Sequence, residues 1–166
     1  APVSRFGVAK DIGALRNTDR MMSAKELLTR LRQGYLDESG SAAIDGADAA
    51  QVFASAIAEQ ATPDFTVTMD GGALTTTYVG IEGLIHGWTD FVAAFETIEI
   101  HPEEILETPD GACAVEFVRL KGRPKGVEAD IDHEAAAVWR APEGVLSAVE
   151  FHMSRAAALR SAGIEL

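Results

Sequence analysis

The sequence predicts an α+β domain in which a cone-shaped, curved antiparallel sheet and three N-terminal helices enclose a cavity. Helical periodicity dominates the first part of the chain, and from about residue 98 the apolar residues recur at every second position. Helices grouped at one end of a chain and strands at the other are typical of α+β folds. Strands of ten or more residues curl as they twist, so the sheet is expected to surround a hollow.

A first helix is predicted where a capping box precedes an apolar stripe. In Ser23-Ala-Lys-Glu26 the serine hydroxyl and the glutamate carboxylate each satisfy a backbone N–H of the first turn. The stripe that follows comprises Leu27, Leu28, Leu31 and Tyr35. Residues 1 to 22 have no regular period, so we expect them to form an arm ahead of a single domain, residues 23 to 166.

The second and third helices are predicted from apolar residues spaced three and four apart. The stripe of the second helix comprises Ala49, Val52, Phe53, Ala56, Ile57 and Ala61. This helix is expected to end before Pro63, because the residue ahead of a proline avoids the α region. The third helix runs from about Ile81 to Phe95 and is rich in aromatic residues. A short last helix is predicted for Arg155 to Ala162, stopped by Gly163.

Five strands are predicted from apolar residues at every second position. They cover residues 65 to 70, 98 to 106, 112 to 120, 127 to 140 and 145 to 153. Turns are predicted at Gly71-Gly72, at the Pro-Asp-Gly of residues 109 to 111 and at the Pro-Glu-Gly of residues 142 to 144.

The charge and composition limit the classes of partner. The net charge is −12, and the first 32 residues hold seven basic against three acidic residues. The acidic remainder repels phosphate, so no nucleic-acid partner is expected, and the basic arm is expected to fold back onto it. The longest apolar run, residues 135 to 139, is too short to cross a membrane. Cys113 stands alone, which favours a reducing, cytoplasmic setting without disulfides.

Several segments together resemble one family. They are Tyr78-Val-Gly80-Ile-Glu-Gly83-Leu, Glu103-Glu-Ile-Leu, the Pro-Asp-Gly turn, Pro-Glu-Gly144-Val-Leu and Arg155-Ala-Ala-Ala-Leu-Arg-Ser-Ala-Gly163. This pattern resembles SnoaL-like domains of the nuclear-transport-factor-2-like superfamily over about residues 23 to 164. The resemblance implies a cone-shaped sheet around an apolar pocket, a homodimer and chemistry without a cofactor. The superfamily includes ketosteroid isomerase and limonene epoxide hydrolase, but the Arg-x-Asp pattern of the hydrolase is missing from residues 112 to 120.

Four residues are candidate catalytic groups. Asp70 approximates the position of the proton-abstracting aspartate that the resemblance implies at the end of the first strand. If Ala136 faces the cavity, strand alternation turns Asp132 and Glu134 inward as well, where an apolar surrounding raises a carboxyl pKa toward neutrality. The alternative is that both lie at the solvent-exposed end of the strand and point away from the cavity. His152, beside Glu150, is either an oriented base or an outer-face residue.

The predicted pocket is lined by aromatic and aliphatic residues. Tyr78 and Trp88 are expected to orient an apolar ligand that carries an oxygen or two, since each has an aromatic body and one polar group; plain core packing is the alternative. The other predicted lining residues are Phe91, Val138, Val149, Phe151 and Met153. No phosphate-binding glycine loop, Gly-x-Ser-x-Gly turn or His-Glu-x-x-His helix is present, so no metal site is predicted.

Three functions remain open from the sequence. The first is a cofactor-free isomerase, dehydratase or cyclase that moves a proton on a hydrophobic small molecule. The second is a homodimer that binds a small ligand or a protein without catalysis. The third is an accessory subunit whose exposed sheet face binds another protein.

Overall fold

The computed structural model describes residues 20–35, 42–43 and 46–166. The elements in chain order are α1 (Ala24–Tyr35), β1 (Ala42–Ala43), α2 (Gly46–Ala58), β2 (Ala61–Asp70), β3 (Thr75–Val79), α3 (Gly80–Ala93), β4 (Phe95–Glu107), β5 (Cys113–Pro124), β6 (Ile131–Arg140), β7 (Leu146–His152) and α4 (Arg155–Ala162). The fold is therefore α+β, as predicted. Most of the predicted arm, residues 1 to 19, lies outside the described residues.

The strands form one sheet in the order β1-β4-β5-β6-β7-β2-β3. From β4 to β7 each strand pairs antiparallel with the next, which confirms the predicted meander. The pairing of β2 with β7 is parallel, so the sheet is mixed and not antiparallel throughout. This pairing joins the two ends of the domain, because β2 precedes the meander and β7 closes it.

The helix ends follow local sequence signals. The capping box is present: the backbone N–H of Ser23 donates to Glu26 Oε2 at 2.8 Å, and that of Glu26 donates to Ser23 Oγ at 3.2 Å. Helix α4 has the predicted bounds and ends at Gly163, whose φ of 71° is the left-handed conformation that glycine adopts without strain. The start of α1 and the end of α4 can therefore be predicted from the residues at each end alone.

The structure differs from the predicted elements at several places, of which three affect the shape of the sheet. Helix α2 ends at Ala58, because Ala61 pairs with Leu146 and the chain passes Pro63 in extended form within β2. Strand β3 was not predicted; it is short and threonine-rich, and it pairs with β2 across the Gly71-Gly72 turn. Strand β6 begins at Ile131 and not at residue 127, because β5 extends to Pro124 and residues 125 to 130 form the turn and bend that connect the two strands.

The two faces of the sheet are covered differently. Leu27, Leu28 and Leu31 of α1 are buried in a core cluster that includes Ala114, Ala137 and Trp139 of the sheet. On the opposite face, α4 packs against the alternate residues of the same strands, a set formed by Cys113, Val115, Ala136 and Val138. Both faces of β5 and β6 are thus buried. Among the described helices, none is long and apolar enough to cross a membrane.

Candidate ligand-binding cavity

A cavity of about 770 Å³ lies between the sheet and helices α2 and α3. This volume is in the range of small-molecule sites. Its wall is mainly apolar and includes the rings of Phe53, Trp88, Phe91, Trp139 and Phe151. Val52 and Leu74 border it and are more than half exposed, so they mark its rim.

The five rings form a connected aromatic wall. Trp88 is central, since its ring centroid lies 5.3 Å from that of Phe53, 5.6 Å from that of Phe91 and 5.3 Å from that of Phe151. Trp139 meets the edge of Phe151 at 6.2 Å. Such tilted and edge contacts are favourable for rings. The arrangement fixes one side of the space available to a ligand.

The cavity contains most of the predicted lining residues. Those present in its wall are Tyr78, Trp88, Phe91, Phe151 and Met153. Val138 is not among them: it is the register partner of Val115 and packs on the α4 side of the sheet. Val149 is buried in the main core beside Trp139 and does not reach the cavity either.

The buried carboxylate of the cavity is Glu116 of β5. It is 4% exposed, and its strand also presents Val118 and Leu120 to the cavity. Arg32 of α1 donates from Nε to Glu116 Oε2 at 2.6 Å. Burial raises the pKa of the Glu116 carboxyl above its usual 4.5, and Arg32 offsets part of this rise. A charged group held among apolar walls in this way is suited to proton transfer.

Sequence reasoning missed Glu116, although a signal was present. The residue interrupts the apolar run Cys113-Ala-Val-Glu116-Phe-Val118, and acidic residues are seldom buried without a partner or a function. A strand that is buried on both faces has a continuous apolar sequence. The single charged residue in such a run therefore indicates a buried charge with a specific partner or role.

Asp70 and His152 are brought together by the parallel pairing of β2 with β7, although they lie 82 positions apart. Nδ1 of His152 lies 2.9 Å from Asp70 Oδ2, and Nε2 lies 3.6 Å from Glu150 Oε2. The pKa of Asp70 is lowered, first by the hydrogen bond from the Gly72 backbone and then by His152. Both residues border the cavity where β2 and β7 end. Strand alternation, however, points their side chains to the face opposite Phe151.

Asp132 and Glu134 lie on the outside of the sheet, away from the cavity. Their side chains are 55% and 56% exposed, and they pair with Arg119 at 3.0 and 2.9 Å. Arg119 also pairs with Glu103, and these carboxylates raise its pKa. The inward orientation inferred for Asp132 and Glu134 rested on Ala136 facing the cavity. The side chain of Ala136 instead packs with α4, which reverses every residue of that face.

The remaining histidines are placed at the surface or against backbone. His86 pairs with Asp90 across one helical turn at 3.2 Å, and His101 pairs with Glu99 at 2.9 Å. Nε2 of His133 lies 2.6 Å from the carbonyl oxygen of Met153. Within the described residues, no cluster of three or more His, Cys, Asp and Glu side chains is arranged to hold a metal ion.

Comparison with known proteins identifies the fold. No family model and no curated protein matches the chain. An NTF2-like protein of unknown function from Burkholderia pseudomallei has a TM-score of 0.58 at 15% identity, with 84% of this chain and 96% of that chain covered. A putative SnoaL-like polyketide cyclase from Jannaschia has a TM-score of 0.56 at 18% identity, with 84% and 90% covered.

A third solved structure is an epoxide hydrolase/cyclase-like enzyme of pyran ring formation in the polyether salinomycin. Its TM-score is 0.52 at 14% identity, with 80% of this chain and 92% of that chain covered. At these identities the likeness concerns the fold. The chain therefore has the same fold as these SnoaL-like and NTF2-like proteins.

Proposed function

We propose that the protein binds a hydrophobic small molecule in the cavity and moves a proton on it without a cofactor, in an isomerisation, dehydration or cyclisation. The observation that carries this proposal is Glu116, a buried carboxylate with a raised pKa in the wall of an apolar cavity. Two proteins of the same fold, described as a putative polyketide cyclase and as an epoxide hydrolase/cyclase-like enzyme, support the reaction class.

Glu116 has the properties of a general base. Above its pKa the carboxylate is ionised, and poor solvation makes it a stronger proton acceptor than a carboxylate in water. It can take a proton from a carbon beside a ligand carbonyl and return it to a second position. Once protonated, the same carboxyl acts as the acid, so the cycle needs no other ionisable group.

Arg32 acts as the positioning residue in this proposal. Its Nε donates to one carboxylate oxygen, Oε2, and the proposal assigns the other oxygen of Glu116 to the ligand, beside the Trp139 indole, which also lowers the pKa of this carboxyl. A charge-assisted bond of this kind holds the carboxylate in one orientation. Arg32 is on α1 and does not line the cavity, and it therefore serves through Glu116.

A second candidate function is ligand binding without turnover. It is favoured by the same ion pair, because the link from Arg32 to Glu116 joins α1 to β5 and leaves the two side chains only 18% and 5% exposed. Buried pairs of this type also occur as purely structural features. The two functions differ in whether Glu116 exchanges a proton with the ligand.

The distinguishing experiment measures hydrogen exchange at carbon. Ring ketones of two to four rings are incubated with the protein in D₂O, and deuterium uptake beside the carbonyl is followed by NMR. Binding is followed in parallel by tryptophan fluorescence, since both tryptophans, Trp88 and Trp139, line the cavity. We expect uptake above the spontaneous rate, and Glu116→Gln should slow it by roughly 100-fold or more.

Two further variants make the result decisive. Glu104→Gln removes an exposed carboxylate of β4 that does not line the cavity, and it should leave uptake unchanged. Glu116→Asp keeps the charge for Arg32 but withdraws the carboxylate by one carbon, so it should fold normally and still lose most of the activity. Uptake that persists in Glu116→Gln contradicts the proposal. Binding without uptake by the unaltered protein supports the second function.

A further inference from the structure

The ionisable groups that line the cavity are mostly acidic. Asp90 and Glu116 contribute carboxylates to its wall, and the Tyr78 phenol is a further ionisable group. Asp70 and His152 border the cavity where β2 and β7 end, with their side chains on the opposite face of the sheet. No lysine or arginine is among the described residues that line the cavity. An anionic ligand would therefore enter without a cationic partner in the wall, whereas a cationic ligand meets complementary charge.

The three carboxylates differ in how far their charge is already compensated. Glu116 pairs with Arg32, and Asp70 accepts hydrogen bonds from Gly72 and Thr75 and contacts His152. Among the described residues Asp90 pairs with His86 alone, and its side chain is 63% exposed. Asp90 is therefore the carboxylate of the wall that is available to a ligand.

Asp90 lies where the end of helix α3 adds further negative potential. The last turn of α3 contains no basic residue, and Ala94 and Phe95, which follow it directly, border the same cavity. The carboxyl end of a helix carries a partial negative charge and stabilises cations nearby. The Asp90 carboxylate and the carboxyl end of α3 are thus two independent features that favour a positive charge at this edge of the cavity.

The aromatic wall continues from this rim into the cavity. Phe91 is the neighbour of Asp90 in sequence, and its ring contacts Trp88 at a centroid distance of 5.6 Å. Aromatic faces attract ammonium groups, and more strongly when water is excluded. An ammonium group at Asp90 would thus lie beside an aromatic surface that also takes the apolar body of the ligand.

We propose that the ligand of this cavity is a hydrophobic amine, bound with its ammonium group at Asp90 and the C-terminal end of α3 and with its ring body against the aromatic wall. This inference rests on the proposed function, because it assigns a charge class to the ligand of the same cavity. It makes Asp90 the residue that determines specificity, while the reacting end of the ligand lies toward Glu116.

The test compares three probes on one ring skeleton: 2-aminotetralin, the neutral 2-tetralol and tetralin-2-carboxylate. Their affinities are measured by quenching of Trp88 and Trp139 fluorescence at low ionic strength. We expect the amine to bind at least tenfold more tightly than the carboxylate, with the alcohol between them. Asp90→Asn should reduce the ratio of amine to carboxylate affinity several-fold.

Asp64→Asn is the matched control. Asp64 is an exposed residue of β2 that does not line the cavity, so its removal changes the net charge equally and should leave the affinity ratio unchanged. A carboxylate probe that binds as tightly as the amine, or equal effects of the two variants, overturns the inference. Deuterium exchange on a neutral ketone that depends on Glu116 would still stand in that case, so failure here is distinct from failure of the proposed function.

Discussion

Replacing Ala135 with leucine is expected to stabilise the protein, because the added carbons enter the cavity. Ala135 lines the cavity and is 5% exposed, and its register partner Val118 lines it too. Leucine adds three carbons, which at about 0.8 kcal/mol each contribute at most about 2.4 kcal/mol. Ordering the longer side chain costs about 0.5 to 1 kcal/mol. The net expectation is a gain of about 1.5 kcal/mol in the free energy of unfolding.

The adjacent residue provides the control. Ala136 is 2% exposed, and its side chain packs with Ala158 of α4 on the other face of the sheet. Leucine at this position has no void to enter, so overpacking should cost about 1 to 3 kcal/mol. The same chemical change, one residue apart in β6, is thus expected to have opposite signs.

Urea unfolding and thermal unfolding at pH 7 measure both variants. For a chain of this size, a gain of about 1.5 kcal/mol corresponds to a rise in Tm of about 3 to 6 °C. Ala135→Leu should also weaken binding of a ring ketone, detected by tryptophan fluorescence, because it occupies the space of the ligand. If both variants destabilise the protein equally, the interior is filled and the reasoning about the cavity is refuted.

Three other outcomes follow from the polar contacts. Glu116→Gln and Arg32→Gln should each lower the free energy of unfolding by about 3 kcal/mol, because each leaves its partner in the ion pair without a counter-charge. In urea unfolding the double variant should lose less than the sum of the two single losses. Additive losses would count against the ion pair. Ser154→Ala should lower the free energy of unfolding by about 1 kcal/mol, because Ser154 Oγ accepts a hydrogen bond from the backbone N–H of Ala157 at 3.2 Å. An unchanged unfolding midpoint would mean that this helix cap does not stabilise α4. Asp70 has a lowered pKa, so its stabilising effect is present above its unfolded pKa of about 3.8 and is lost as the pH falls through its folded pKa. The free energy of unfolding, measured from pH 5 to 2, should therefore fall less in Asp70→Asn than in the unaltered protein. The same pH dependence in both proteins would contradict this expectation.

The sequence predicted those parts of the fold that depend on local signals. The capping box at Ser23, the end of α4 at Gly163 and the antiparallel meander all result from interactions between near neighbours in the chain. The parallel pairing of β2 with β7 joins distant segments, and no local pattern reports it. The contact of Asp70 with His152 depends on that pairing and was equally out of reach.

The candidate site was harder to predict because β5 and β6 are buried on both faces. Five consecutive residues of β6, from 135 to 139, are buried, so the period of two that separates cavity from exterior is lost there. The alternative in which Ala136, Asp132 and Glu134 face the cavity was one residue out of phase, and the structure has the other alternative, with both carboxylates exposed. Because β5 is buried on both faces as well, Glu116, its one acidic residue, was a better indicator of the cavity than Asp132 or Glu134.

Titration of the Glu116 carboxyl tests its proposed role in proton transfer without any knowledge of the ligand. The side-chain carbon of glutamate is labelled with ¹³C, the Glu116 signal is assigned with Glu116→Gln, and its shift is followed with pH. We expect a midpoint above the ordinary value of 4.5, because the carboxyl is buried. A midpoint at or below 4.5 would mean that the carboxylate is held ionised by Arg32 or by water, and would contradict its role in proton transfer.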